Sequence, residues 1–269
     1  MTTAPYLFQA DRYLSPNHAP SWLGRASASL GFYGPLIWIV VKSGIKAMQH
    51  VYDGEAWARS SEETAAALEA VGCRIEASGL EHFRSLEGPC VFIGNHMSTL
   101  ETFVLPSMIQ PWKEVTFVVK ESLLKYPFFG SVLASRDPIV VGRSNPRADL
   151  VTVLEGGEAR LAAGRSIIVF PQSTRTPVFD PAHFNTIGIK LAKRAGVPVI
   201  PIALKTDAWG NGQLLKDFGP VDVRKTIHFE FGEPMRIEGA GKAEHQRITD
   251  FIIDRLGSWN RELEEGKGK

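Results

Sequence analysis

A histidine and a carboxylate lie close together in the sequence after an apolar segment about a third of the way along the chain. Val91–Ile93 runs directly into Gly94 and Asn95, and His96 is followed five residues later by Glu101. An imidazole titrates near neutrality and can remove a proton from a hydroxyl group, while a neighbouring carboxylate can orient the ring and stabilise the imidazolium. The spacing therefore predicts a general-base pair in which His96 is the base and Glu101 is its partner.

The same residues allow other interpretations. Ser98 and Glu101 have the spacing of a capping box, in which Glu101 reaches back to the start of its own helix. The two interpretations are compatible because a carboxylate in the first helical turn points toward the loop that holds His96. A metal site is not predicted, since paired ligands on a helix are expected four residues apart and no third ligand is apparent.

Basic residues follow three further apolar segments. Arginine and lysine at the ends of neighbouring strands are suited to holding one phosphate-like ligand, and a hydroxyl group beside them can assist. Each of these residues taken alone is more typical of a solvated side chain. The candidates are Lys120 after Val115–Val119, Arg143 after Ile139–Val141, and Thr174 and Arg175 after Ile167–Phe170.

The elements that must position these residues alternate along the chain. This alternation predicts an α/β fold with a mixed, mostly parallel sheet flanked by helices, whose functional residues gather at the carboxyl ends of the strands. A helix at Thr64–Val71 is expected to begin at the capping pattern Ser60-Ser61-Glu62-Glu63. Further predicted strands are Val199–Leu204 and Ile227–Phe231, and further predicted helices are Thr99–Ile109, Arg147–Ala163, Thr186–Ala195 and Ile248–Leu256.

The N-terminal part contains an uncharged segment, residues 26–41, that ends in the apolar stretch Leu36–Val41. It is shorter than the about 20 residues that a spanning helix needs. One interpretation is a helix buried against the domain; the other, which we favour, is a helix lying at a membrane surface, because aromatic and basic side chains accompany it. The Leu36–Val41 region is then the membrane contact of a peripheral or monotopic protein. The accompanying residues are Trp22, Arg25, Tyr33, Trp38, Lys42 and Lys46.

Composition narrows the function classes. The 269 residues carry 30 Lys+Arg and 29 Asp+Glu, a formal net charge of +1, which disfavours a nucleic-acid partner bound through bulk charge. Cys73 and Cys90 have neither a CxxC nor a zinc spacing and are interpreted as reduced cytosolic thiols. We predict an N-terminal helical, membrane-associating segment at residues 1–58, a catalytic domain at 59–263 and a flexible tail at 264–269.

Five sequence blocks in series resemble those of the glycerolipid acyltransferase superfamily, typified by 1-acyl-glycerol-3-phosphate acyltransferases. The order and spacing of the blocks match across about residues 72–205, and the series is more specific than any single block. The blocks are Gly94-Asn95-His96 with Glu101, Lys120–Leu123 with Pro127–Gly130, Ile139–Arg143, Phe170–Arg175 and Val197–Ala203.

The resemblance implies transfer of a fatty acyl group from acyl-CoA or acyl carrier protein, used as co-substrate, to the free hydroxyl of a lysophospholipid, without a resident cofactor or metal. By default the acceptor is lysophosphatidic acid and the product phosphatidic acid. His96 and Glu101 would be catalytic, and the acceptor's phosphate would be held by Lys120, Arg143, Thr174 and Arg175. The implied role is phospholipid biosynthesis at the cytoplasmic face of a membrane.

Two departures from the family's blocks bear on the acceptor. Glu101 stands where aspartate is usual, and Gln172-Ser173 replaces Glu-Gly. These departures leave open a different acceptor, such as an amino-acid lipid, and an inactive lipid-binding relative. Nucleophilic catalysis by Ser98, Ser173 or Cys90 is disfavoured because no Gly-x-Ser-x-Gly elbow surrounds them.

Overall fold

The computed structural model describes residues 6–17, 19–172, 174–212 and 216–266. Within these residues one mixed sheet has the strand order β1-β2-β8-β7-β3-β6-β4-β5. The strands are β1 (Tyr13–Leu14), β2 (Ile75–Ser78), β3 (Val91–Gly94), β4 (Val115–Lys120), β5 (Ile139–Val141), β6 (Ser166–Val169), β7 (Val199–Lys205) and β8 (Ile227–Phe231).

Helices cover both faces of this sheet. Short 3-10 helices lie at Glu121–Lys125 and Pro181–His183. The α-helices are α1 (Trp22–Ala26), α2 (Ala28–Met48), α3 (Gly54–Ala70), α4 (Glu81–Arg84), α5 (Leu100–Ile109), α6 (Phe129–Ser135), α7 (Pro146–Ala162), α8 (Ile187–Ala195) and α9 (Lys242–Gly266).

Successive side chains of the central strands contribute to different cores. In β3, Phe92 belongs to the cluster shared with α2, α3 and α5, whereas Val91 and Ile93 belong to the cluster shared with α7, α8 and α9. Because successive residues of a strand face opposite sides of the sheet, this division shows a helix–sheet–helix sandwich. Continuously apolar strands are typical of a parallel sheet buried on both faces.

Strand directions confirm the predicted mixed, mostly parallel sheet. The pairs β3–β6, β3–β7, β4–β6, β4–β5 and β2–β8 are parallel, whereas β1–β2 and β7–β8 are antiparallel. The strand segments predicted from apolar runs are all present. The carboxyl ends of β7, β3, β6, β4 and β5 consequently lie along one edge of the sheet.

The predicted start of helix α3 is wrong. Helix α3 begins at Gly54, where the Asp53 carboxylate accepts a 2.8 Å hydrogen bond from the backbone N–H of Ala56. Ser60 and Ser61 are buried inside this helix instead of capping it. Aspartate is a strong N-cap, and Asp53 lies seven residues before the serine pattern from which the sequence predicts the cap.

Two other predicted helices are present with slightly changed limits. Helix α7 is capped by Asn145 with a proline in its first turn, as predicted, and α8 ends at Ala195, followed by its C-cap Gly196 with a φ of +68°. The last helix is longer than predicted and includes residues 264–266, while residues 267–269 lie outside the described part. The domain division stays a prediction, and its first boundary falls inside α3.

Candidate active site

His96 lies in the turn between β3 and α5, as the sequence predicts, and both its backbone and its ring are fixed. Asn95 exchanges two hydrogen bonds with the backbone of Leu204 in β7, at 2.7 and 2.9 Å. The His96 backbone N–H donates to Oε1 of Gln172 at 2.6 Å. Its ring stacks on Phe170, with ring centroids 4.4 Å apart and planes inclined by 5°.

Glu101 is fully buried in the first turn of α5, and several groups donate hydrogen bonds to its carboxylate. The backbone N–H groups of Met97 and Ser98 donate to Oε1 at 2.7 and 3.0 Å, and the Thr206 hydroxyl donates to Oε1 at 2.7 Å. Burial alone would raise the pKa of Glu101, but interaction with His96 and the hydrogen bonds from Ser98 and Thr206 hold it below its usual value. A buried carboxylate is therefore kept ionised beside His96.

The facing atoms of the pair are His96 Nδ1 and Glu101 Oε2, which lie 3.7 Å apart. Nδ1 is buried and has no hydrogen-bond partner among the described residues. The His96 side chain is 15% exposed, so its accessible surface comes from the other atoms of the ring. The arrangement brings the predicted base and acid together, and a small closure would convert their contact into a hydrogen bond.

The three predicted cations share the sheet edge with His96. His96, Arg175, Lys120 and Arg143 follow β3, β6, β4 and β5, which are adjacent parallel strands in that order. With neighbouring strands about 4.8 Å apart, β5 is about 14 Å from β3 across the sheet. Lys120, Arg143 and Thr174 are exposed, whereas Arg175 is half-buried.

Arg175 is the predicted cation that the structure places against the His96 turn. Its guanidinium contacts the hydroxyl of Thr99, three residues after His96. The same guanidinium pairs with Asp217, with Nη1 2.6 Å from Oδ1. The Arg143 backbone N–H donates to Asp149 at 2.9 Å, and Arg143 adopts a φ of +59°.

Sequence reasoning missed Thr206 and the role of Gln172. Thr206 directly follows β7, next to β3 in the sheet, so the rule that polar residues after strands are functional candidates could have found it. Gln172 is buried and holds the His96 backbone instead of facing an acceptor. These two contacts connect the His96 turn to both neighbouring strands.

The disfavoured nucleophiles gain no support. Cys90 is buried, and burial raises the pKa of its thiol to about 12, far above the range of a reactive thiolate. The Ser98 hydroxyl donates to the backbone oxygen of Thr206 at 3.0 Å, and Ser173 lies outside the described residues. Cys73 and Cys90 are both free thiols.

In the part of the chain that the structure describes, no group of three or more His, Cys, Asp or Glu side chains could hold a metal ion.

Comparison with known proteins finds a family match over the segment that carries these residues. The family model described as Acyltransferase matches residues 74–205, which contain His96, Glu101, Lys120, Arg143 and Arg175. This segment of the chain belongs to the acyltransferase family. The expected resemblance is thereby confirmed over nearly half of the chain.

Individual relatives point the same way. A 1-acyl-sn-glycerol-3-phosphate acyltransferase of Pseudomonas aeruginosa is 38% identical over 170 residues, covering 63% of this chain and 62% of the relative. A chloroplastic enzyme of the same name from Brassica napus is 29% identical and is covered to 44%. The chain thus spans less than two thirds of the length of the curated relatives it matches.

A solved structure shows the same fold. The crystal structure of the 1-acyl-sn-glycerophosphate (LPA) acyltransferase PlsC from Thermotoga maritima superimposes with a TM-score of 0.65. The match covers 90% of this chain and 95% of that one at 18% identity. Because this match covers more of the chain than the family model does, the similarity of fold extends beyond residues 74–205.

Proposed function

We propose that this protein transfers a fatty acyl group from a thioester donor, acyl-CoA or acyl carrier protein, to the free hydroxyl of lysophosphatidic acid. The observation that carries the proposal is the partly exposed His96 ring beside an ionised, fully buried Glu101, at the sheet edge that also presents Arg175. Support for this acceptor comes from the names of the relatives and from the basic residues on neighbouring strands.

In the proposed reaction His96 removes the proton from the acceptor hydroxyl as that oxygen attacks the thioester carbonyl carbon. Glu101 stabilises the resulting imidazolium across the 3.7 Å contact with Nδ1. When the carbon–sulfur bond breaks, the imidazolium returns the proton to the leaving thiolate. The ester forms without an acyl-enzyme intermediate, and His96 is again neutral. Arg175, assisted by Lys120, Arg143 and Thr174, holds the acceptor's phosphate so that its hydroxyl faces His96.

Helix α2 supports a membrane location for this reaction. Among the described helices, α2 is the one that is long and apolar enough to span a bilayer. Its most apolar 18 residues have a mean hydropathy of 1.3, and one third of them are buried. Its Phe32 and Leu36 pack on the domain, while Leu30, Ile37 and Trp38 face outward. Helix α2 thus packs on the domain along one side and exposes apolar side chains along the other, which is typical of a helix that lies on a membrane surface. We therefore propose a peripheral or monotopic protein at the cytoplasmic face of a membrane.

The direct test uses purified full-length protein with vesicles containing lysophosphatidic acid and either donor, and measures phosphatidic acid by mass spectrometry. His96→Ala is expected to lower kcat by about 10²- to 10⁴-fold. His183→Ala, which removes an exposed histidine from the short helix at Pro181–His183, is the matched control and is expected to leave kcat unchanged. Acyl transfer by His96→Ala at the wild-type rate contradicts the proposed mechanism. Consumption of thioester only with another acceptor from a panel of lysolipids contradicts the assigned acceptor.

A further inference from the structure

The guanidinium expected to bind the acceptor's phosphate already binds a carboxylate of the same chain. Arg175 Nη1 lies 2.6 Å from Oδ1 of Asp217, and the two side chains are only 18% and 19% exposed. Asp217 lies far from Arg175 in sequence, on the segment between β7 and β8. An arginine–carboxylate pair in this setting is stronger than an ion pair on an open surface.

Asp217 accepts further hydrogen bonds from groups suited to a phosphate. The Tyr126 hydroxyl donates to Oδ2 at 2.9 Å, and the Thr99 hydroxyl lies 3.4 Å from Oδ1. The hydrogen bond to Asp217 raises the pKa of Tyr126, so this phenol stays a donor at physiological pH. A guanidinium and two hydroxyl groups around one anion form a set of donors that also fits a phosphate monoester.

The backbone that presents Asp217 is held in place. The Tyr33 hydroxyl of α2 donates to the carbonyl oxygen of Gly219 at 2.5 Å, and the Tyr33 ring packs on Phe218 at 5.6 Å between centroids. The Gly212 N–H donates to the Lys216 carbonyl oxygen at 3.3 Å. With its backbone fixed, Asp217 can leave Arg175 by rotation of its short side chain to another staggered rotamer.

We propose that Asp217 occupies the position of the acceptor's phosphate on Arg175 and competes with it, so that Asp217 determines the affinity for phosphate-bearing acceptors. The proposal rests on the proposed function, because it takes Arg175 as a phosphate ligand. Binding of the acceptor exchanges one anion for another on the same donors, and the displaced carboxylate remains nearby as a like charge.

The test is the variant Asp217→Asn in the full-length protein. Asparagine keeps the size and an acceptor oxygen but removes the charge, so the KM for lysophosphatidic acid is expected to fall about tenfold with kcat within about twofold of wild type. The matched control is Asp222→Asn, whose carboxylate pairs with the exposed Arg224.

An unchanged or raised KM in Asp217→Asn overturns the proposal, since it means that Asp217 orients Arg175 instead of competing for it. So does an acceptor panel in which the wild type acylates an amino-acid lysolipid and Asp217→Asn loses that activity, because Asp217 then binds an ammonium group.

Calorimetric binding of glycerol 3-phosphate separates this inference from the proposed function. If the wild type makes no phosphatidic acid, the proposed function fails. About tenfold tighter binding to Asp217→Asn than to wild type still supports competition at Arg175 in that case. Equal or weaker binding overturns it.

Discussion

The carboxylate of Glu101 is one methylene further from its backbone than the aspartate usual in the family's first block, and the surroundings fit that length. Oε1 receives hydrogen bonds from Met97, Ser98 and Thr206, while Oε2 faces His96. The longer side chain is therefore accommodated by the site. A shorter side chain could not keep all four of these relationships, because the carboxylate would move back by about 1.5 Å.

Restoring the family's aspartate is consequently expected to impair this protein. Glu101→Asp should lower kcat about ten- to hundredfold with little change in the acceptor KM, because displacement of a catalytic group by about 1 Å can cost that much. Steady-state kinetics of phosphatidic acid formation measure both parameters. Activity of Glu101→Asp equal to wild type would show that the position of this carboxylate is not critical.

Thr206 is expected to contribute to stability as well as to the site. Thr206→Val removes a hydrogen bond to a buried charge and should lower the free energy of unfolding by about 2 kcal/mol, and kcat should fall with it. Thr206→Ser retains the hydroxyl and serves as the control, with stability close to wild type. Urea unfolding of the three proteins measures the difference. Equal stability of the valine and serine variants would contradict a role for this hydroxyl.

Of the contacts made by His96 and Glu101, the sequence predicts only those that are local along the chain. His96 and Glu101 are five residues apart, so their proximity follows from a strand-to-helix turn. Thr206 and Gln172 reach the same turn from positions 105 and 76 residues away from their partners. Spacing along the chain carries no information about such contacts, which depend on strand order in the sheet.

Among the described helices, α2 carries the most exposed large apolar side chains. Trp38 is 67% exposed and Leu30 75% exposed, and they lie two helical turns apart with Ile37, Ile45 and Met48 on the same side. Exposing large apolar side chains on one side of a helix to water is unfavourable, and burying them at a lipid interface is favourable. The sequence favoured this interpretation over a fully buried helix, and the structure shows a helix that is buried on one side only.

Trp38→Ser is expected to weaken binding to anionic phospholipid vesicles roughly 10- to 100-fold, the effect of losing one large apolar side chain from the interface. Val151→Ser on α7 is the matched control, because Val151 is also exposed, at 48%, but lies on a helix of the opposite face. Vesicle sedimentation measures both. Equal loss of binding in the two variants would show that α2 is not the specific contact.

Elements with strong local signals were predicted, whereas those that depend on pairing were not. The six buried strands are apolar runs, and α7 has its asparagine cap and first-turn proline, so each is visible within a short window. Strand β1 is two residues long and exists because Tyr13 pairs with Ala77 of β2. Such an edge strand leaves almost no periodic pattern, and its partner strand β2 is only slightly longer.

At the scale of the whole molecule, the order of the parallel strands gathers residues that are more than 100 positions apart into one edge. Parallel neighbours require crossover connections, and the helices in them pack on the two faces of the sheet to form its two cores. The sequence predicted the shared edge from the fold class. It could not predict that β7 lies next to β3, which is what brings Thr206 to Glu101.

His228 of β8, which packs against α9, makes the stability of the fold depend on pH. This ring is stacked on Trp259 of α9 at 4.7 Å, and burial together with the charge of Lys205 lowers its pKa from 6.5 to about 4, although Glu76 lies 3.6 Å away. Between these pH values the unfolded chain binds a proton that the folded protein does not, so stability is lost as the pH falls from 6.5 toward 4. The difference corresponds to roughly 3 kcal/mol.

His228→Phe keeps an aromatic ring against Trp259 and removes the titrating group. Its free energy of unfolding is therefore expected to fall less than that of the wild type between pH 6.5 and pH 4, as measured by urea unfolding at successive pH values. Parallel curves of stability against pH for the two proteins would contradict the assignment to His228.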